Sequence, residues 1–80
     1  MAYNCSFGIE KAYDQIPKDY FTEIICVDDG SSDDTVTRAN KRGIRVFTHP
    51  HTGYGGNLFF GLHNAMELGA THIIELHGDN

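Results

Sequence analysis

Two adjacent carboxylates, Asp28 and Asp29, follow the apolar run 24–27 and immediately precede Gly30. If that run is a strand, both acids lie just beyond its carboxyl end, which is where open α/β sheets bind their ligands. One carboxylate could then accept hydrogen bonds from a base or a ribose, while the other orients the loop or a metal. The alternative is a solvated turn whose acids cap the next helix, and this interpretation is favoured for Asp33 and Asp34.

A third acid in a comparable position is Asp79, which follows the run Ile73-Ile74-Glu75-Leu76 in a tripeptide that begins with His77. A carboxylate at the end of another strand could bind Mg²⁺ or Mn²⁺, hard cations that prefer oxygen ligands and bridge diphosphate oxygens. The tripeptide alone is a weak motif, and a polar turn is the alternative. Its position predicts a metal site with Asp79 as a ligand and His77 as a further candidate.

Residues 53–57 form a glycine-rich segment before a helix, whose free N–H groups could attract phosphate. The segment matches neither a Walker loop nor the dinucleotide fingerprint, so a glycine-permitted turn is an equal alternative. Tyr3 could stack on a base, against the alternative of a disordered terminus. The five histidines lack zinc-site spacing, and most are interpreted as ordinary loop or surface residues.

The elements that must position these residues alternate between helix and strand. Apolar spacing and glycine or proline boundaries predict helices over 7–16, 33–42 and 57–68, with strands over 23–28, 44–47 and 71–76. The first strand is a continuous apolar run, which is typical of a buried parallel sheet. Gly43 and Gly69 are the expected helix ends. The pattern therefore predicts an α/β domain with a mainly parallel sheet.

Composition narrows the class of partner. The chain has 80 residues, 6 of them Lys or Arg, and a formal net charge of −5, so a nucleic-acid partner is not expected. No run approaches the roughly 18 apolar residues of a membrane span. Two cysteines, Cys5 and Cys26, do not form a disulfide framework, and Cys26 is expected to pack as a small apolar residue. These features fit a reducing, cytoplasmic setting.

Together these segments resemble the N-terminal, nucleotide-binding half of family 2 glycosyltransferases, which have the GT-A fold, and most nearly the dolichol-phosphate mannose synthase-like (polyprenyl-phosphate) members. The resemblance rests on the order of four segments: the loop 2–4, the strand and Asp-Asp-Gly-Ser turn 23–35, the glycine-rich loop with its helix 53–70, and the tripeptide 77–79 in the place of the Asp-x-Asp motif. It covers nearly the whole chain and implies a Rossmann-like GT-A domain over 1–80.

The resemblance also implies roles for particular residues. Asp29 would contact the base or ribose of a nucleotide diphosphate sugar, Asp28 would belong to the same pocket, and Tyr3 would lie near the base. Asp79, with His77, would hold Mg²⁺ or Mn²⁺ on the diphosphate. The acceptor could be a polyprenyl phosphate, which would place the intact enzyme at the cytoplasmic face of a membrane.

The chain departs from the family pattern in three places and in extent. His77 replaces the first acid of Asp-x-Asp, Cys5 stands where an acid is usual, and His51 stands where Asn opens the glycine-rich loop. The family's first strand and its acceptor half, with the catalytic base, are expected to be missing, so the catalytic residue is unknown and the isolated fragment should be weakly stable and inactive. The alternatives are a non-catalytic nucleotide-binding or partner-binding module, and a dehydrogenase-type unit that lacks its glycine fingerprint.

Overall fold

The computed structural model describes residues 1–78 and is an α/β fold around two parallel strands. Strand β1 (Ile25–Asp28) pairs with β2 (Arg45–Thr48) in register, with Ile25 opposite Arg45 and Asp28 opposite Thr48. A short 3₁₀ turn precedes β1. The elements in chain order are α1 (Ile9–Asp14), the 3₁₀ turn (Lys18–Tyr20), β1 (Ile25–Asp28), α2 (Thr35–Lys41), β2 (Arg45–Thr48) and α3 (Tyr54–Glu67). The predicted fold class is confirmed.

Helix α2 is the crossover that makes the two strands parallel, because parallel neighbours cannot be joined by a tight turn. It begins where the Asp33 carboxylate accepts the Thr35 N–H at 3.0 Å, and Asp34 pairs with Arg38 at 2.9 Å one turn on. It ends before Gly43, whose φ of 83° is the left-handed conformation that favours glycine. Asp33 therefore bonds to the start of the helix as the sequence indicates, whereas Asp34, the N-cap residue, makes no side-chain capping bond and pairs with Arg38 instead.

The core lies between α1, α2 and the sheet and is made of small side chains. Cys26 and Cys5 are both buried in it, and burial raises the pKa of the Cys26 thiol to about 11. Cys26 thus packs as a small apolar residue, which confirms the expectation. The buried apolar members are Ala2, Cys5, Ile9, Cys26, Ala39 and Ile44, with Tyr13 and Val46 packed against them.

Helix α3 begins at Tyr54, so the predicted start at residue 57 is wrong by three residues. The glycines at 55 and 56 are accommodated in its first turn, where the prediction placed a loop. Farther along, the helix lies close against β1: a Cβ at Gly61 would stand 2.8 Å from Cγ2 of Val27. No helix within residues 1–78 has the length and hydropathy needed to cross a membrane.

The predicted strand over 71–76 is wrong, because the segment is irregular in the structure. Its neighbour is the chain start: the Met1 amine donates to the Leu76 carbonyl at 2.9 Å, and the Gly78 N–H donates to the Met1 carbonyl at 2.8 Å. Ala2 in turn forms a parallel bridge to Asp28. A strand needs a continuous ladder, and these few bonds leave instead an open apolar groove of about 440 Å³ beside β1.

Candidate functional site

The candidate site lies at the carboxyl ends of β1 and β2, where three loops converge. The turn after β1, the loop after β2 and the loop at the chain start meet there. Asp28 and Thr48 end the paired strands, so Asp29 and His49 emerge side by side. Parallel strands deliver their following residues to one edge of the sheet, and this brings Tyr3, Asp28 and Asp29 together as predicted.

Asp28 is fully buried and holds the turn to the neighbouring strand. Its Oδ2 accepts the Ser31 N–H at 2.9 Å and the Thr48 hydroxyl at 3.0 Å, while the Ser31 hydroxyl donates to Oδ1 at 2.5 Å. All of its bonding in this structure is therefore internal. Direct contact between Asp28 and a nucleotide stays a prediction.

Asp29 is 2% exposed, and the start of α3 is wrapped around its carboxylate. The Thr52 N–H and hydroxyl donate to Oδ1 at 2.9 and 3.2 Å, and the Gly53 N–H donates to Oδ2 at 2.9 Å. Burial acts to raise the pKa of Asp29, but these donors and the nearby charge of His51 outweigh it and hold the pKa below its ordinary value. The site therefore contains a fixed anion at neutral pH.

His51 connects Asp29 with Tyr3. Its Nδ1 lies 2.8 Å from Oδ2 of Asp29, and its ring stacks on Tyr3 with centroids 4.3 Å apart and planes inclined by 27°. The side chain is 53% exposed. His51 is an exposed loop residue, and its ring lies against the two residues predicted to meet the base.

His49 and Asn57 form a second, more buried layer. The Asn57 amide donates to the Val27 carbonyl at 3.1 Å, which leaves Asn57 Oδ1 to accept from Nε2 of His49 at 2.8 Å. The His49 ring also contacts Phe60, with centroids 4.2 Å apart. This layer ties α3 and the loop after β2 to β1. The His49 side chain is accordingly only 13% exposed.

Gly30 allows the turn after β1 to approach the loop after β2. Its φ is 72°, and a Cβ there would lie 2.7 Å from the His51 backbone nitrogen and 2.9 Å from the His49 carbonyl oxygen. Only a residue without a side chain fits this contact. The glycine of the Asp-Asp-Gly-Ser turn therefore sets the position of His51 above Asp29.

The loop at the chain start is fixed by Asn4, which places Tyr3. The Asn4 N–H donates to the Ser31 hydroxyl at 2.9 Å, and the Asn4 side-chain oxygen accepts the Ser32 N–H at 2.8 Å. Asn4 has a φ of 45°, a left-handed conformation that asparagine tolerates better than most residues. Tyr3 is consequently held against the His51 ring, in place of the disordered terminus offered as the alternative.

The predicted metal ligands are only partly described. His77 is stacked on Tyr54 with ring centroids 5.7 Å apart, and its Nε2 lies 3.3 Å from Glu75. Asp79 lies outside the described residues. Within residues 1–78, no group of three or more His, Cys, Asp or Glu side chains is arranged to hold a metal ion. These residues alone do not fit Mg²⁺ or Mn²⁺.

Several residues that make the site are not among the predicted site residues: His49, His51, Thr52 and Asn57. The N–H groups of residues 53–57 are expected to attract phosphate, and that of Gly53 donates instead to Asp29. The available signal was their position, because the segment 48–56 directly follows the second predicted strand and must reach the same edge as Asp29.

Comparison with known proteins adds one finding. No curated protein and no solved structure matches the chain. A family model described as glycosyl transferase family 2 matches residues 2–79. That span contains the Asp-Asp-Gly-Ser turn, the loop after β2 and all of α3. The chain therefore belongs to glycosyltransferase family 2.

Proposed function

We propose that this chain forms the donor-binding part of a glycosyltransferase that takes its sugar from a nucleotide diphosphate sugar. Membership of the family supports glycosyl transfer as the reaction class. The edge of the sheet supports recognition of the nucleotide, because it combines an anion with an aromatic face.

One observation carries the proposal: the Asp29 carboxylate and the Tyr3 face meet around a single planar nitrogen ring, that of His51. A base such as uracil or guanine presents the same combination, an N–H donor on the ring edge and a π face for stacking. Stacking on an aromatic side chain contributes about 1–3 kcal/mol per base. A carboxylate acceptor adds selectivity for bases that donate at that edge.

The finer parts of the proposal rest on the sequence resemblance. They are an acceptor of the polyprenyl-phosphate kind, as in dolichol-phosphate mannose synthase-like members, a position at the cytoplasmic membrane face, and Mg²⁺ or Mn²⁺ held by Asp79 and His77. A divalent cation would supply charge neutralisation of the nucleoside diphosphate when bound. His77 is paired with Glu75 in this structure, so binding a metal would require that pair to open.

Calorimetric titration with UDP and with GDP, with and without Mn²⁺, tests the proposal. We expect one of the two to bind, and Tyr3→Leu to weaken that binding about tenfold because the stacking face is lost. Asp29→Asn should weaken it further. Tyr20→Leu and Asp19→Asn make the same changes at exposed positions and should bind like the wild type. A folded wild type that binds neither nucleotide would contradict the proposal.

A non-catalytic binding module is the second candidate, and one observation favours it. Asp28 and Asp29 have their hydrogen-bonding positions filled from within the chain, so the edge is complete without a ligand. Transfer of a labelled sugar by a protein that contains this chain would decide for the enzyme. Nucleotide binding without transfer would decide for the module.

A further inference from the structure

The His51 ring makes both of the contacts that a base is expected to make. We propose that His51 is a built-in competitor of the nucleobase: its imidazole occupies the base position between Tyr3 and Asp29, and a nucleotide must displace it to bind. This inference rests on the proposed function and specifies how access to that same site is controlled.

The stacking face is the first contact in competition. With centroids 4.3 Å apart and planes 27° from parallel, the His51 ring lies directly on Tyr3. Stacked aromatic rings are separated by the thickness of one ring, so a base cannot enter between the two while they touch. The bound base must therefore take the place of the imidazole on that face.

The carboxylate is the second contact in competition. An ionised carboxylate has about four acceptor positions. The Asp29 carboxylate accepts the Thr52 N–H, the Thr52 hydroxyl and the Gly53 N–H. Nδ1 of His51 lies 2.8 Å from Oδ2 and makes its hydrogen bond, at 3.2 Å, with the Asp29 backbone carbonyl oxygen. These neighbours surround the carboxylate, whose side chain is 3% exposed. A base N–H can reach the carboxylate only after one of them leaves.

His51 is the neighbour of the carboxylate that can leave most easily. The donors of Thr52 and Gly53 are mostly backbone groups at the start of α3, so moving them would unwind the helix end. The His51 side chain is 53% exposed and can swing into solvent by rotating about its own side-chain bonds. Displacement of His51 therefore opens both base contacts in one movement and leaves the backbone in place.

The proposal predicts that truncating a side chain of the site, that of His51, should strengthen nucleotide binding, whereas truncation of a binding residue normally weakens it. The apparent affinity of a site is reduced by the fraction of molecules in the competent state, so a ring that closes the site nine-tenths of the time would cost about tenfold. His51→Ala should then bind UDP or GDP about tenfold more tightly than the wild type. If His51 instead covered the outer face of a bound base, the same change would weaken binding.

The test is calorimetry of the 80-residue chain with UDP and GDP, comparing the wild type with His51→Ala and with His51→Asn, which keeps a polar amide but cannot cover Tyr3. His63→Ala is the matched control, since His63 is an exposed histidine on α3 that pairs with Glu67 at 3.6 Å. Circular dichroism verifies that each variant is folded. In the wild type, saturating nucleotide should shift the His51 and Tyr3 ring signals in proton NMR.

The outcomes separate the two proposals. Tighter binding by His51→Ala or His51→Asn, with His63→Ala unchanged, supports the competitor. Equal or weaker binding by both His51 variants, with the wild type binding, overturns the competitor and leaves the proposed function standing. Absence of binding by the folded wild type and by the folded His51 variants overturns both.

Discussion

The carboxyl edge of the sheet and the groove beside β1 are opposite kinds of surface. At the edge, Asp28 and Asp29 are buried and bonded, and within residues 1–78 no buried side-chain polar atom lacks a hydrogen-bond partner. Along the groove, Ile73, Ile74 and Leu76 are exposed although they are apolar. The edge has its buried polar groups hydrogen-bonded, whereas the groove leaves apolar side chains exposed to water.

The difference follows from how each surface is built. Polar contacts at the edge need only short loops that leave neighbouring strands, and the chain provides these loops. The groove needs a long run of backbone pairing along β1, for which the chain start provides one residue, Ala2, bridged to Asp28. We therefore expect the structure to depend strongly on the edge and weakly on the segment 71–76.

Gly30→Ala should have the largest effect. The alanine would have to adopt a φ of 72° and would press its Cβ within 3 Å of the backbone at His49 and His51. Left-handed strain and overpacking together should cost about 3 kcal/mol of the free energy of unfolding. Urea denaturation followed by circular dichroism measures this cost.

Gly43→Ala is the matched control for that change. Its φ is 83°, but no atom lies within 4 Å of the added Cβ. It should therefore cost only the conformational part, about 1–2 kcal/mol. Equal costs at the two glycines would show that the contact between the turn and the loop after β2 does not stabilise the edge.

Gly61→Ala should have a smaller effect, because it acts on the packing of α3 against β1. The added methyl would stand 2.8 Å from Cγ2 of Val27, whose branched side chain has little freedom to move. Overpacking should outweigh the better helix propensity and leave a net cost of about 1 kcal/mol. Gly55→Ala, with open space around it, should instead stabilise α3 by about 0.5 kcal/mol. Stabilisation by both changes in urea denaturation would contradict this packing.

Lowering the pH should remove the contribution of Asp29 to the free energy of unfolding. Since the pKa of Asp29 is lower in the folded chain, its stabilisation is fully present above the unfolded value of about 3.9 and is lost as pH falls through the folded pKa. The wild type should therefore exceed Asp29→Asn in stability at pH 7, and this difference should shrink below about pH 4. Urea midpoints measured from pH 7 to pH 3 test it; a difference that stays constant would argue against an ionised, bonded Asp29.

Ile74→Ser should have the smallest effect, within about 0.5 kcal/mol, because Ile74 is 69% exposed. Ile44→Ser makes the same change at a buried core position and is the control. Thermal unfolding of the two variants compares the groove with the core. A cost at Ile74 close to that at Ile44 would mean that the segment 71–76 is packed in solution.

The local features of this fold could be predicted from the sequence. The helix end before Gly43 and the bond of Asp33 to the helix start depend on neighbours a few residues away, and the apolar run 24–27 indicates the burial of Cys26. The site edge could also be predicted, since Asp28 and Asp29 follow an apolar strand. These signals lie in consecutive residues.

The failures involve partners that are distant in the sequence. The run 71–76 has strand composition, but whether it forms a strand depends on a pairing neighbour. The stack of Tyr3 on His51 joins residues 48 positions apart and depends on the close approach that Gly30 permits. Nothing in the sequence near either residue indicates that the two rings are in contact.

The accessibility of the two buried thiols reports on local opening of the structure around each of them. Cys26 lies within β1, and its pKa of about 11 keeps it protonated and unreactive while the core is closed. Cys5 lies beneath Gly78, so its Sγ becomes accessible when the segment that ends there lifts away. Alkylation at each thiol, resolved by mass spectrometry, would therefore time two separate openings of the unmodified chain, one of the sheet and one of the groove.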